Sequence, residues 1–183
     1  MLHATVAATD DDLWQIHLLN QANYRQHVSA EVRDNEGFVS WFYPVKLLQQ
    51  TQQLAPHVIV KEGDTVAGYA LTLLREAALI HADLKLMFDN LEPVTCNGKP
   101  LTDYRIYCMG QVCIDKPWRG KGVFNMLYQH HKKLYAHDFD MIITEISLSN
   151  PRSQRAHEKV GFKTIYTYTD ANDEWNVVAW DWQ

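Results

Sequence analysis

The chain has 183 residues, 46% of them hydrophobic and 21% charged, and carries a net charge of −5. That length suits one domain with a sizeable core, and the balance is that of a folded chain, not a disordered one. The acidic balance gives no general field for nucleic acid, no apolar run is long enough to span a bilayer, and Met1–Thr5 lacks the basic start and apolar stretch of an export signal.

Leu2–Ala8 reads as an opening strand. Thr9 and Asp12 then have the spacing of a capping box, with Leu13, Ile16 and Leu19 at helical spacing behind them. The polar stretch Glu31–Gly37 breaks that pattern. A second helix is expected from near Ser40 to Leu54, with Pro44 in its first turn and Pro56 stopping it. Val58–Val60 and Val66–Leu74 read as strands joined at Glu62-Gly63-Asp64, a short hairpin. Leu84, Met87, Phe88 and Leu91 form the apolar stripe of a helix over Ala82–Leu91, and Asn97-Gly98 signals a tight turn. The segment Arg75–Asp103 is long for a hairpin connection and is expected to form a lid or an interface.

Tyr104–Ile114 reads as a long strand. It runs into Lys116-Pro117-Trp118-Arg119-Gly120-Lys121-Gly122 and then a helix from Val123 to near Asp138. Met141–Leu148 is the next strand, Asn150-Pro151 starts a helix, and Gly161 ends it as a C-cap. Phe162–Thr169 and Trp175–Trp182 complete the sheet. No repeat, low-complexity stretch or Pro/Gly/Ser-rich linker divides the chain, so one domain over 1–183 is expected, of α/β class with a mixed sheet.

The cysteines, Cys96, Cys108 and Cys113, include no C-x-x-C pair, which predicts reduced thiols and a cytoplasmic protein. Cys108 and Cys113 are five apart, so on a regular strand they face opposite ways. Nine histidines include no H-x-x-x-H or H-E-x-x-H spacing, and His130 and His131 point about 100° apart on a helix, so no metal site is expected.

A strand ending at Ile114, a glycine-bearing turn and a helix together gather backbone N–H groups at a positive dipole end, which favours an anion. Arg119 and Lys121 would add mobile positive charge. On its own such a turn is more often only a turn. It is neither a P-loop nor a dinucleotide fingerprint, because G-x-x-x-x-G-K-[ST] is absent and Asn125 stands at the third glycine position.

Arg119-Gly120-Lys121-Gly122-Val123-Phe124 resembles the R/Q-x-x-G-x-G/A signature of the GNAT acetyltransferase superfamily, departing only at Phe124. Asn150, Glu158, Lys159, Gly161 and Phe162 resemble the family's second signature, an Asn after a strand followed at fixed spacing by E-K-x-G-F. The resemblance covers roughly residues 104–169. It implies a GNAT-like, mostly antiparallel sheet of about six or seven strands with helices on both faces. It also implies acetyl-CoA as cosubstrate and an amine acceptor, a small molecule or a peptide. The loop amides of Gly120, Lys121, Gly122, Val123, Phe124 and Asn125 would hold the pyrophosphate, with Arg119 beside them. Asn150 and Ser153 would lie near the pantetheine arm, and Val112, Cys113 and Ile114 would offer backbone donors to the thioester. His157 stands where many relatives carry a Tyr acid, and its two roles, acid or packed helix histidine, stay open. The Met141–Leu148 strand buries a carboxylate, Glu145, whose desolvation would make it a better proton acceptor. It also lies five residues before Asn150, the spacing of the base in the ribosomal-protein N-terminal acetyltransferase branch. Trp41-Phe42-Tyr43 and Leu84–Leu91 are candidates to wall the acceptor side. Three alternatives stay open, a non-catalytic acyl-CoA sensor of the same fold, a longer acyl donor, and a binding domain with no cofactor; a homodimer paired through sheet edges is left open as well.

Overall fold

A computed structural model describes residues 1–171 and 173–183. Among these, seven strands form one sheet in the order β1-β2-β3-β6-β7-β9-β8, and a two-stranded hairpin, β4-β5, stands apart. The chain runs β1 (Leu2–Val6), α1 (Asp10–Asn23), α2 (Ala30–Glu36), α3 (Val45–Leu54), β2 (Val58–Glu62), β3 (Thr65–Leu73), α4 (Ala82–Leu91), β4 (Thr95–Cys96) and β5 (Lys99–Pro100). There follow β6 (Ile106–Ile114), α5 (Val123–Tyr135), β7 (Met141–Ser147), α6 (Pro151–Val160), β8 (Lys163–Thr169) and β9 (Glu174–Asp181). Every neighbouring pair in the large sheet is antiparallel except β6 and β7.

Two hydrophobic clusters sandwich the sheet. On one face α1, α3 and α4 bury Leu13, Ile16, Leu47, Leu48, Leu84 and Phe88 against Tyr69, Leu71, Leu73 and Ile143. On the other, α5 buries Val123, Leu127 and Tyr128 against Val58, Tyr107, Ile142 and Val178. The strand alternation of apolar residues feeds the two clusters in turn. Helices therefore cover both faces, as the resemblance implies. No described helix is long and apolar enough to cross a membrane.

Helix starts follow the expected chemistry. Thr9 Oγ1 accepts from Asp12 N–H at 3.1 Å, and the Asp12 carboxylate accepts from Thr9 N–H at 3.1 Å, closing the capping box of α1. Pro44 is the N-cap of α3 and lies just outside it. The polar stretch 31–37 is largely a helix, α2, which periodicity misses because none of its residues is fully buried. Ser29 caps it, and Gly37 ends it at φ +78°, a conformation that favours glycine.

The segment between β3 and β6 is a wall. Leu84, Phe88, Leu91, Val94, Cys96 and Leu101 anchor it in the core, so lifting it as a lid would expose six buried apolar residues.

Two irregularities shape the centre. β6 and β7 pair only from Ile106↔Met141 to Cys108↔Ile143, and beyond this seam the strands diverge. Within β6, Ala70↔Val112 and Thr72↔Met109 leave Leu71 opposite both Gly110 and Gln111, a β-bulge. The bulge reverses side-chain parity, so Cys108 and Cys113 pack in the same cluster and not on opposite faces. A regular strand would have separated them.

Candidate active site

The wedge between β6 and β7 opens into two cavities. One, of about 610 Å³, lies on the α1–α4 side and is lined by Glu145, Tyr168, Trp41, Tyr43, Met87 and Trp175, among others. The second, of about 520 Å³, lies along the 119–125 turn and α6. Phe38, Val39, Val112, Asn150 and Ser153 line both. The cavities thus meet where β6 leaves β7.

At the second cavity, Gly120 has φ +77° and Gly122 φ +81°, and a Cβ on either would meet open space. Gly122 is the N-cap of α5. The first-turn amides of an α-helix have no partner within it, so those of Val123, Phe124 and Asn125 are donors at a positive dipole end. Arg152, Arg155 and Lys159 of α6 line the same cavity. A cradle of glycines and amides facing cations suits a diphosphate with further phosphate beyond it.

Individual placements refine the expectations. Gly120, Gly122, Val123, Phe124, Asn125, Val112, Cys113, Ile114, Arg119, Asn150 and Ser153 all line this cavity, whereas Lys121 is exposed and outside its lining. The side chain of Val123 is buried in the core, leaving its backbone to face a ligand. Arg119 is not a mobile charge. Its Nε donates to the Ile114 carbonyl at 3.0 Å, one terminal nitrogen to Glu36 at 2.6 Å and the other to Asn23 at 2.7 Å. The residue straps the turn to the end of α1 and to α2. Phe124 packs on Tyr128 and edge-on to His157, both 5.0 Å away between centroids. It fills space between α5 and α6 that the usual Gly or Ala leaves open.

Burial pushes the Cys113 thiol up to about 12, so it is a protonated core residue. Asp115 N–H donates to Ala67 O across to β3, and strand alternation turns Cys113 N–H the same way. The N–H groups of Val112 and Ile114 then turn toward the wedge. Asn150 caps α6, accepting from Ser153 N–H at 3.2 Å, while its amide donates to the Phe38 carbonyl at 3.0 Å. It latches the two cavity walls together.

His157 is 1% exposed, and burial drives its pKa down to about 4. Nδ1 lies 2.8 Å from the Ser153 carbonyl and must be the protonated nitrogen. Nε2 therefore accepts from Tyr128 Oη, at 2.5 Å. These contacts pack the ring between α5 and α6, and the residue also lines the larger cavity.

Glu145 is half-buried on β7 and lines the larger cavity. Desolvation lifts its pKa to about 7, with Asp170 adding to the rise and a hydrogen bond from Tyr168 opposing it. Tyr168 Oη donates to Oε1 at 3.0 Å, and Asn90 of α4 donates to Tyr168 Oη at 3.3 Å. Tyr168 and Asn90 escaped sequence reasoning because they reach Glu145 from separate elements. So did a buried amide network, in which Gln111 Oε1 accepts from Asn20 (2.6 Å) and Tyr69 (2.6 Å) while its Nε2 donates to Trp41 O (2.7 Å). That network fixes the bulge, and the glycine at 110 was its one sequence signal.

A seven-stranded, mostly antiparallel sheet splayed at its single parallel pair, with a glycine-bearing turn at the splay and helices on both faces, is the GNAT fold. The family profile described as acetyltransferase (GNAT) family matches residues 16–162. The chain belongs to the GNAT acetyltransferase family, whose members use acetyl-CoA and act on amine acceptors. Among solved structures, it is similar to the ribosomal-protein-S18-alanine N-acetyltransferase of Escherichia coli, at 13% identity and TM-score 0.63, covering 99% of this chain and 94% of that one. An N-acetyltransferase from Staphylococcus aureus Mu50 aligns at 18% identity and TM-score 0.65, covering 100% and 99%. The NatC complex bound to Gag peptide and CoA aligns at 12% and 0.66, covering 100% and 99%. No curated protein matches the chain by sequence.

Proposed function

We propose that this chain, as one domain over residues 1–183, is an N-acetyltransferase in which a primary amine attacks acetyl-CoA directly in a ternary complex. The observation that carries this is the position of Glu145. A carboxylate with its pKa raised to about 7 lines a cavity that meets the cofactor-side cavity at Val112, Asn150 and Ser153.

When bound, acetyl-CoA supplies an activated acyl group on a good leaving group. The chain's residues do the rest. Amides at 122–125 hold the pyrophosphate, Asn150 and Ser153 line the pantetheine path, and Arg119 keeps the turn in place. Glu145, in contact with the cavity, removes the proton from the ammonium, since only a neutral amine attacks. The Val112 N–H, turned into the wedge, donates to the developing oxyanion. Much of the rate comes from holding amine and thioester together where the cavities join. In this mechanism His157 packs and does not donate a proton, and the second proton of the attacking nitrogen passes through solvent to the departing thiolate.

The test is thiol release from acetyl-CoA with a panel of amines, amino acids and peptides, alongside calorimetry with CoA. Glu145→Gln is expected to lower kcat by about a hundredfold or more with cofactor binding unchanged. Tight cofactor binding without release on any acceptor would point to a non-catalytic sensor instead.

A further inference from the structure

The larger cavity holds an arginine that the chemistry above does not use. Arg33 of α2 is half-buried and lines this cavity but not the cofactor cavity. Among the described residues its guanidinium makes a single hydrogen bond, to the Arg25 carbonyl at 3.2 Å. Among the described residues, no carboxylate lies within ion-pair distance of it. Neighbouring arginines differ: Arg25 is neutralised by Asp173 at 2.9 Å, and Arg119 by Glu36 at 2.6 Å.

A guanidinium drawn partly out of water is costly unless an anion meets it, and its planar fork is shaped for two oxygens of one acidic group. That anion is not the cofactor's, because the cofactor cavity carries its own cations on α6. Resting on the acetyl-transfer function proposed for the same cavity, we infer that the acceptor is a zwitterion whose amine meets Glu145 and whose acidic group, a carboxylate or a phosphate, is gripped by Arg33. A free amino acid is the simplest such molecule. A cavity of about 610 Å³ with indoles at Trp41 and Trp175 admits one with a large side chain.

The test reads binding, not turnover. Protein saturated with CoA is titrated by calorimetry with matched pairs: tryptophan against tryptamine, lysine against cadaverine, and phosphoethanolamine against ethanolamine. The acidic member of the pair that fits is expected to bind at least tenfold tighter. Arg33→Gln should erase that difference, and Arg33→Lys should keep part of it, both with CoA affinity unchanged. The first two pairs report a carboxylate and the third a phosphate. Equal binding within every pair, a preference that survives Arg33→Gln, or no binding of any acidic member at millimolar concentration would overturn the inference. If acidic ligands bind but no thiol is released, the transfer chemistry fails and the Arg33 site stands.

Discussion

Glu145 has to be ionised to take a proton, yet its surroundings resist ionisation, and two measurable consequences follow. The rate should rise with pH through about 7, the value to which burial lifts this carboxylate. Tyr168 Oη hydrogen-bonds the charged form and lowers that value, so Tyr168→Phe should move the midpoint of the kcat/KM profile to higher pH. Asn90→Ala, one bond further out, should move it less. A profile that keeps its midpoint in Tyr168→Phe would remove the tyrosine from the mechanism. The second consequence is thermodynamic. A carboxyl whose folded pKa exceeds the ordinary 4.5 loses stability for the fold as pH rises from 4.5 to about 7. Glu145→Gln should therefore melt a few degrees above the parent at pH 8 and alongside it at pH 4.

At the scale of elements, the turn between β6 and α5 depends on a partner 80 or more residues earlier in the chain. Glu36 bonds both Arg119 (2.6 Å) and Lys116 (2.9 Å), and this tie keeps its carboxyl below the usual range. On charge alone, removing an acid near a phosphate site would tighten CoA binding. The strap says the opposite, and Glu36→Gln is expected to weaken CoA several-fold in a calorimetric titration. Tighter binding would return Arg119 to the role of a free phosphate ligand. In β6, a Cβ at Gly110 would run into Leu73 and come within 2.8 Å of Tyr43 Oη, so Gly110→Ala should cost about 1–3 kcal/mol by denaturant unfolding. These two elements also mark where sequence reasoning stops. The regular strands, the capped helices and Glu145 were legible because apolar periodicity and one misplaced carboxylate carry them locally. The α2 helix was not, since its support comes from Ser29, Gly37 and a distant arginine. The bulge was not, since it is a backbone event that side-chain alternation cannot record. Tyr168 was not, since only the pairing of β8 with β9, and of β9 with β7, brings it to Glu145.

At the scale of the molecule, three histidines among the described residues are buried and neutral. Burial takes His57 to about 4, His131 to about 3 and His157 to about 4, from an ordinary 6.5. His57 accepts from Thr72 N–H at 3.1 Å, and His131 bridges Tyr107 Oη (3.0 Å) and the Ala70 carbonyl (3.2 Å). The unfolded chain takes up these protons near pH 6.5 while the folded chain does not. Their contribution is therefore complete above pH 6.5 and is lost as pH falls toward 4. Glu145 works the other way, but one carboxyl does not balance three imidazoles. The melting temperature should drop by about 10 °C or more between pH 7.5 and 5. A flat curve over that range would mean that water reaches the rings.

The sheet itself is two wings, β1-β2-β3-β6 and β7-β9-β8, stitched edge to edge by three residue pairs. Above those stitches each wing presents a bare strand margin to the other, and whatever molecule lies between them acts as a rivet. Adding CoA should slow amide hydrogen exchange in 109–114 and 144–147 together, on strands that never touch there. Slowing on one margin alone would mean that the wings are already locked without it.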